Sequence, residues 1–300
     1  MSTTTPFRDR IQNLKQKYEQ LKPEKESLLQ LLDEAEITEA VYNSNAIENS
    51  TLTLKETERI LLEMEVSRDV SLREVFEAKN LARVMEFIHN KKNRELNVKL
   101  ILFLHQMLLG NIDDKIAGRF RQKGEYVRVG THVAPAPEHL ERMIEELFIE
   151  YSSDFGTFFV DKIALFHLNF ETIHPFNDGN GRIGRILINY QLQQLGFPAL
   201  IIRDKEKQEY YRGFHEYRDA QNTKPMEKVL VLALTESLHK RVAYLRGDKI
   251  IPLVDYAKNL NKPTPTILNA ALRQTIPAFR EKGVWKIGFD IIHQPLPENE

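Results

Sequence analysis

Apolar residues recur at helical intervals along most of this chain. In 7–22, Phe7, Ile11, Leu14, Tyr18 and Leu21 fall three or four positions apart, so they share one face and predict a first helix. Pro23 suits the first position of a second helix, where its missing N–H has no intrahelical partner anyway. The pattern carries that helix to about Glu48–Asn49. Further helices are predicted over 54–65, 71–90 and 97–110. The window 118–133 breaks the rhythm: glycines flank a Tyr-Val-Arg-Val run, which predicts a short β-hairpin. Helical periodicity returns over 135–153, entered through prolines, and over 160–173. It resumes from Arg182 and closes at Gly196 and Pro198. Two more helices are predicted near 204–220 and 225–246.

Gly247 and Pro252 then mark a boundary. The tail from about 250 reads as short helices followed by a strand around Trp285, the pattern of a small winged-helix-like unit. The expected fold class is therefore all-α, mostly helical, with one hairpin. The expected division is an N-terminal helical region 1–84, a core 85–247 and a C-terminal unit 248–300.

Composition narrows the function classes. The chain has 300 residues and a formal net charge of -1, which argues against a general polyanion binder. There is no cysteine, so disulfides, zinc-thiolate sites and thiol catalysis are excluded, and a reducing cytoplasm is the expected location. The start, "MSTTTPFRDR", lacks the apolar core of a signal peptide. Apolar runs such as "VLVLAL" are too short to span a bilayer, so no membrane partner is expected.

The densest chemistry lies in "HPFNDGNGRIGR", His174 to Arg185. The residue before a proline disfavours helix, so His174 should sit where the preceding helix ends. Gly179, Asn180 and Gly181 allow irregular dihedrals, and the next helix should begin near Arg182. Backbone N–H groups in such a turn, with the free N–H groups of a helix start, form an anion cup. Arg182, Arg185 and Asn189 are spaced for one helix face, and guanidinium forks match phosphate oxygens. Asp178 is a hard oxygen ligand suited to magnesium. His174 can take a proton near neutral pH. Together these groups suit transfer of a phosphorus-bearing group from a nucleotide to a hydroxyl. Taken singly, each has a bland reading as cap, turn or surface cation; their joint occurrence favours the chemistry. His167, Glu171 and His174 have a spacing that could suggest a metal site, but His174 lies past the helix end.

"HPFNDGNGRIGR" resembles the signature of the Fic (filamentation induced by cyclic AMP) family, His-x-Phe-x-Asp/Glu-Gly-Asn-Gly-Arg-x-x-Arg, at every fixed position. "GRFRQKGEYVRVGTHVAPAP" is similar to the family's flap hairpin, and the likeness spans roughly residues 85–220. The resemblance implies a mostly helical Fic fold that transfers AMP from ATP to hydroxyl side chains of target proteins. It implies His174 as general base and Asp178 as the Mg2+ ligand on the α- and β-phosphates. Gly179, Asn180 and Gly181 would cradle the α-phosphate. Arg182 would contact the phosphate chain and Arg185 the γ-phosphate, with Asn177 and Gly184 in the same nucleotide-binding set. Val127, expected near the flap tip, would dock the target by strand addition. "YYRGFHEYRD" would bring Tyr210 or Tyr211 near the adenine, although Arg218 stands where many relatives have asparagine.

"SNAIEN", 44–49, resembles the family's inhibitory motif, Ser/Thr-x-x-x-Glu-Gly/Asn. The resemblance implies that Ser44, Glu48 and Asn49 form a self-inhibiting segment, in which Glu48 pairs with Arg185 and denies it to the γ-phosphate. The main expectation is an autoinhibited protein adenylyltransferase. The alternatives are AMP removal with Glu48 orienting water, transfer of another phosphoryl group, or a non-catalytic nucleotide sensor whose tail binds DNA. Lys258, Lys262, Arg273, Arg280, Lys282 and Lys286 outnumber Asp255, Glu281 and Asp290 in that tail, a mild basic excess open to DNA or protein docking. Pairing into a homodimer is a further expectation from the family.

Overall fold

The computed structural model describes residues 3–66, 69–90 and 95–289. Asp290, counted among the C-terminal acids above, and the remaining residues to 300 lie outside the described residues. By their internal contacts, the residues fall into two compact units, one of Glu36–Leu230 with Thr3, the other of Thr4–Ala35 with Val231 onward. These cuts differ from the expected boundaries at 84/85 and 247/248. A unit is set by which side chains pack together, and long helices carry no compositional mark where their packing partners change.

α2 (Glu26–Ile47) belongs to the first unit from Glu36 onward, and the turn after it places Asn49 at a left-handed φ of 68°. The helix begins three residues later than Pro23 suggested, because Glu24 adopts a φ of 66° and makes a turn instead. α3 (Leu54–Glu58) opens with a capping box, in which Thr53 and Glu56 satisfy each other's backbone N–H groups. It widens into a π-helical turn over Arg59–Glu63 that Met64 closes in a left-handed conformation. α4 (Leu72–Asn90) and α5 (Val98–Leu109) follow, then α6 (Leu140–Ser153), α7 (Phe159–Ile173), α8 (Asn180–Gln194) and α9 (Lys207–Ala220).

The core of this unit is built by the spacing read above. Leu81 and Val84 of α4, Ile101, Leu104 and Leu108 of α5, Phe170 of α7 and Ile183 and Leu187 of α8 are all inaccessible to solvent. Each buried side chain of this size contributes about 1.5–3 kcal/mol. The apolar stripe therefore locks α7 and α8 side by side and fixes the loop between them.

The hairpin is shorter than predicted. β1 (Arg128–Val129) pairs with β2 (His132–Val133) in the register Arg128↔Val133 and Val129↔His132. Its tip is Gly130–Thr131, with Gly130 at a φ of 60°. Val127 is thus not near the tip: it lies at the open end, where its carbonyl accepts from the Ala134 N–H at 3.1 Å. Two-residue turns that demand positive φ draw the tip to the glycine.

The second unit contains α1 (Thr5–Leu21), in which Ile11, Leu14 and Tyr18 are buried as the spacing predicts. α10 (Lys224–Arg246) enters this unit from Val231. β3 (Lys249–Pro252), α11 (Leu253–Asn259), α12 (Thr264–Leu272), β4 (Ala278–Glu281) and β5 (Val284–Phe289) follow. The strands form one antiparallel sheet in the order β3-β5-β4. Three strands stand where one was expected, because four-residue segments acquire strand character only from a partner. Leu253, Ala257, Ile267, Ala271, Ala278 and Ile287 make a small core, and Trp285 packs against it. Arg280, counted above in the basic excess, is buried: its Nε donates to Glu236 at 3.0 Å and its guanidinium lies 4.5 Å from the Trp285 ring centre. Lys286 pairs with Glu281 at 2.7 Å. Among the described residues, no helix is long and apolar enough to cross a membrane.

Candidate active site

α7 ends where the Pro175 effect predicts. His174 caps it in a left-handed conformation (φ 48°, ψ 61°), its N–H still bonded to Phe170 O at 2.9 Å. α8 begins at Asn180, two residues before Arg182, so only Gly179 of the Gly-Asn-Gly run needs positive φ (83°). Asn180 and Gly181 already belong to the first helical turn. The N–H groups of Asn180, Gly181 and Arg182 therefore point out of the helix start without intrahelical acceptors, the arrangement that favours an anion.

The Asn180 side chain does not reach into the cup. It is buried and accepts from Phe176 N–H at 2.9 Å while donating to Phe176 O at 2.8 Å, which closes the loop on itself. Gly184 is also structural. A Cβ there would strike Glu171 and His167 of α7, so the glycine lets the two helices approach. Asn189, expected on the face of the arginines, instead holds the Leu200 backbone through both its amide atoms.

Asp178 lies at the loop's outer corner. Its Oδ1 accepts from Gly179 N–H at 2.6 Å and from Arg182 at 3.0 Å, and its Oδ2 accepts from Arg73 at 2.6 Å. Burial pushes its pKa up, but Arg182, the Gly179 amide and Arg73 outweigh that, so it titrates below the usual aspartate range. Glu77 Oε1 joins Arg73 at 3.1 Å to Arg182 at 3.3 Å, closing a ring of two cations and two anions. Among the described residues no three His, Asp or Glu side chains cluster to hold a metal. A single carboxylate beside a phosphate cup does suit magnesium, an ion commonly held by one or two carboxylates and the substrate's own phosphates.

Arg185 is bound on all sides. Its Nη2 donates to Glu48 Oε1 and to Ser44 O, both at 2.8 Å, and its Nε donates to Ser44 Oγ at 3.0 Å. Tyr210 Oη lies 3.4 Å from Nη1. Glu48 also covers the cup: a Cβ on Gly181 would collide with its Oε1. Asn49 Oδ1 accepts from Lys207 at 2.7 Å, and Tyr211 donates to Ile47 O at 3.2 Å. Of the two tyrosines expected near adenine, Tyr210 is buried against His167 Nε2 at 2.8 Å, whereas Tyr211 holds the end of α2. Burial, then the Arg185 charge, pushes the His167 pKa down to about 3, so its imidazole is neutral.

His174 Nδ1 is buried without a hydrogen-bond partner, 3.7 Å from Glu171 Oε2. Its carbonyl accepts from Arg121 Nε at 2.9 Å. Arg121, buried at 3% exposure, also donates to Glu125 O and Pro135 O at 3.0 Å each. It thus ties both arms of the hairpin segment to the histidine turn. His132 adds a second tie, its Nε2 at 2.9 Å from Thr172 O. Asn177 bonds Glu125, whose pKa the Arg119 fork holds down to about 2. His105 stacks on Phe176 with ring centres 3.7 Å apart and joins Asp178 O and Gly118 N–H, each at 3.0 Å. Because Gly118 donates to Nδ1, the Nε2 atom carries the proton toward Asp178 O.

Sequence reasoning missed Arg73, Glu77, Arg121, His132 and His105. His105 alone had a local signal, a polar residue on the apolar face of α5. The others look like ordinary surface cations and acids until the fold brings them to the loop.

Residues 95–192 match the Fic/DOC family model. This stretch is a Fic/DOC-family domain. Protein adenylyltransferase fic-1 of Caenorhabditis elegans is 33% identical over 182 residues, 58% of this chain and 35% of that protein. Protein adenylyltransferase Fic of Nematostella vectensis is 31% identical over 219 residues, 71% of this chain and 50% of that protein. The chain thus spans at most about half the length of these curated relatives. A Fic-domain-containing signaling protein from Bacteroides thetaiotaomicron superposes with a TM-score of 0.72 at 27% identity, covering 80% of this chain and 98% of that one.

Proposed function

We propose that the protein is an adenylyltransferase that moves AMP from ATP to a hydroxyl of a protein target, and that Glu48 inhibits it in cis. The observation that carries the reading is the seat of Glu48. One carboxylate meets both Arg185 and the helix start at Gly181, so it stands where a nucleotide phosphate would find its cation and its amides. The relatives' names support the transferred group.

In this mechanism His174 takes the proton of the incoming hydroxyl. Its Nδ1 is enclosed beside Glu171, which leaves Nε2 as the base. The hydroxyl oxygen bonds to the α-phosphorus as the bond to the leaving pyrophosphate breaks. The amides of Asn180, Gly181 and Arg182 stabilise the charge that grows on the α-phosphate oxygens. Asp178 is the residue that would hold magnesium, which would neutralise phosphate charge. Arg185, once released from Glu48, holds the γ-phosphate. The exposed edge of the hairpin offers backbone groups to a target strand.

The test is transfer of label. ATP labelled at the α-phosphate should mark protein, and ATP labelled at the γ-phosphate should not; label from the γ position would instead mean phosphoryl transfer. His174→Ala should abolish the α label.

A further inference from the structure

Two oxygens of Asp178 have different duties. Oδ1 belongs to the loop itself, through Gly179 N–H and Arg182. Oδ2 faces Arg73, which comes from α4, 105 residues earlier in the chain. The two arginines also differ in freedom. The Arg182 side chain is 4% exposed, whereas that of Arg73 is 57% exposed. Arg73 is therefore the member of the ring that can swing into water. Glu77 would keep Arg182 neutralised after it left, since the 3.3 Å contact does not depend on Arg73.

We propose that Arg73 competes with the divalent cation for Asp178 Oδ2, and so sets the cation concentration at which the site loads. This rests on the reading of Asp178 as the cation ligand. A cation at Oδ2 and a guanidinium 2.6 Å from the same atom exclude each other by volume and by like charge. Loading then requires Arg73 to leave, and the cost raises the cation demand. The device is separate from Glu48. Glu48 blocks the Arg185 end of the site, whereas Arg73 blocks the Asp178 end.

The test is binding, with no turnover. Polarisation of a fluorescent ADP analogue is titrated with magnesium on the full chain, for wild type, Arg73→Gln and Asp178→Asn. Each form is measured in a Glu48→Gly background, so that the carboxylate facing Arg185 and Gly181 does not compete with the nucleotide. Arg73→Gln should lower the magnesium needed for half-maximal binding by about three- to tenfold, the range expected when one charge-assisted, half-exposed contact is removed. Asp178→Asn should erase the magnesium dependence. If Asp178→Asn erases it and Arg73→Gln leaves the midpoint unchanged or raises it, the competition is overturned while the ligand assignment stands. If Asp178→Asn titrates like wild type, the ligand assignment fails and the competition with it. Equal thermal midpoints with Arg73 present and with Arg73→Gln confirm that the comparison reports loading rather than folding.

Discussion

Arg185 and Glu48, 137 residues apart, meet at 2.8 Å, and the same guanidinium nitrogen also donates to the Ser44 carbonyl. Burial by itself would lower the arginine's pKa; Tyr210 and Glu48 more than offset it, so the group stays charged. A buried cation needs an anion, and only a carboxylate or a phosphate can supply one here. That choice is the proposed switch.

Replacing Glu48 by glycine should raise self-modification. A hundredfold rise corresponds to about 2.7 kcal/mol of preference for the closed state, the order that one partly buried Arg–carboxylate pair supplies. Incorporation of α-labelled AMP over time measures it. Equal rates in the variant and wild type would reject the inhibitory role.

Ser44→Ala should relieve inhibition only in part. It removes the 3.0 Å bond from Arg185 Nε but leaves the backbone carbonyl and Glu48 in place. One such hydrogen bond is worth about 1 kcal/mol, so a roughly fivefold rise is expected. A rise matching that of Glu48→Gly would mean the serine, not the glutamate, holds the segment.

Arg121→Ala should destabilise the protein by about 2–4 kcal/mol, since it strands the carbonyls of His174, Glu125 and Pro135 in partly buried surroundings. Arg121→Lys should recover part of the loss, because a lysine keeps the charge but not the fork. Urea unfolding measures both. An alanine variant as stable as wild type would show that the guanidinium does not brace this turn.

Acid should weaken the second unit through His239. Burial, chiefly, pushes its pKa down to about 4. Gln274 donates its amide to Ala271 O and Ala278 O, so its Oε1 accepts at 2.9 Å from a protonated Nδ1 of neutral His239. The unfolded chain binds a proton below the ordinary histidine pKa, and the folded unit does not until about 4. This stability is therefore complete above pH ~6.5 and is lost as pH falls toward 4, by up to about 3 kcal/mol. Fluorescence of Trp285, the sole tryptophan in the chain, follows unfolding of this unit. His239→Gln should flatten the dependence between those pH values; an unchanged slope would assign the acid sensitivity elsewhere.

The helices were legible because they are local. Period-3.6 apolar spacing predicted α1, α4, α5, α6 and α7 within a few residues, and His174-Pro175 marked the end of α7. The motif was legible for the same reason: its histidine, carboxylate, glycines and arginines lie within twelve consecutive residues. Even so, the adjacency of residues in sequence did not say which atoms face a ligand. Asn180 and Gly184 sit inside the motif yet serve the loop and the helix contact, because burial decides direction.

Sequence by itself determined the helical stripes, the turn chemistry and the inventory of groups able to move a proton or hold a phosphate. Only the tertiary structure decided who meets whom. Arg73 reaches Asp178 across 105 residues and Arg121 reaches His174 across 53, and no local pattern encodes such pairings. Local spacing sets which face of a helix is apolar, whereas the packing of those faces sets the distances between polar groups, and the charges at this site act only at those distances.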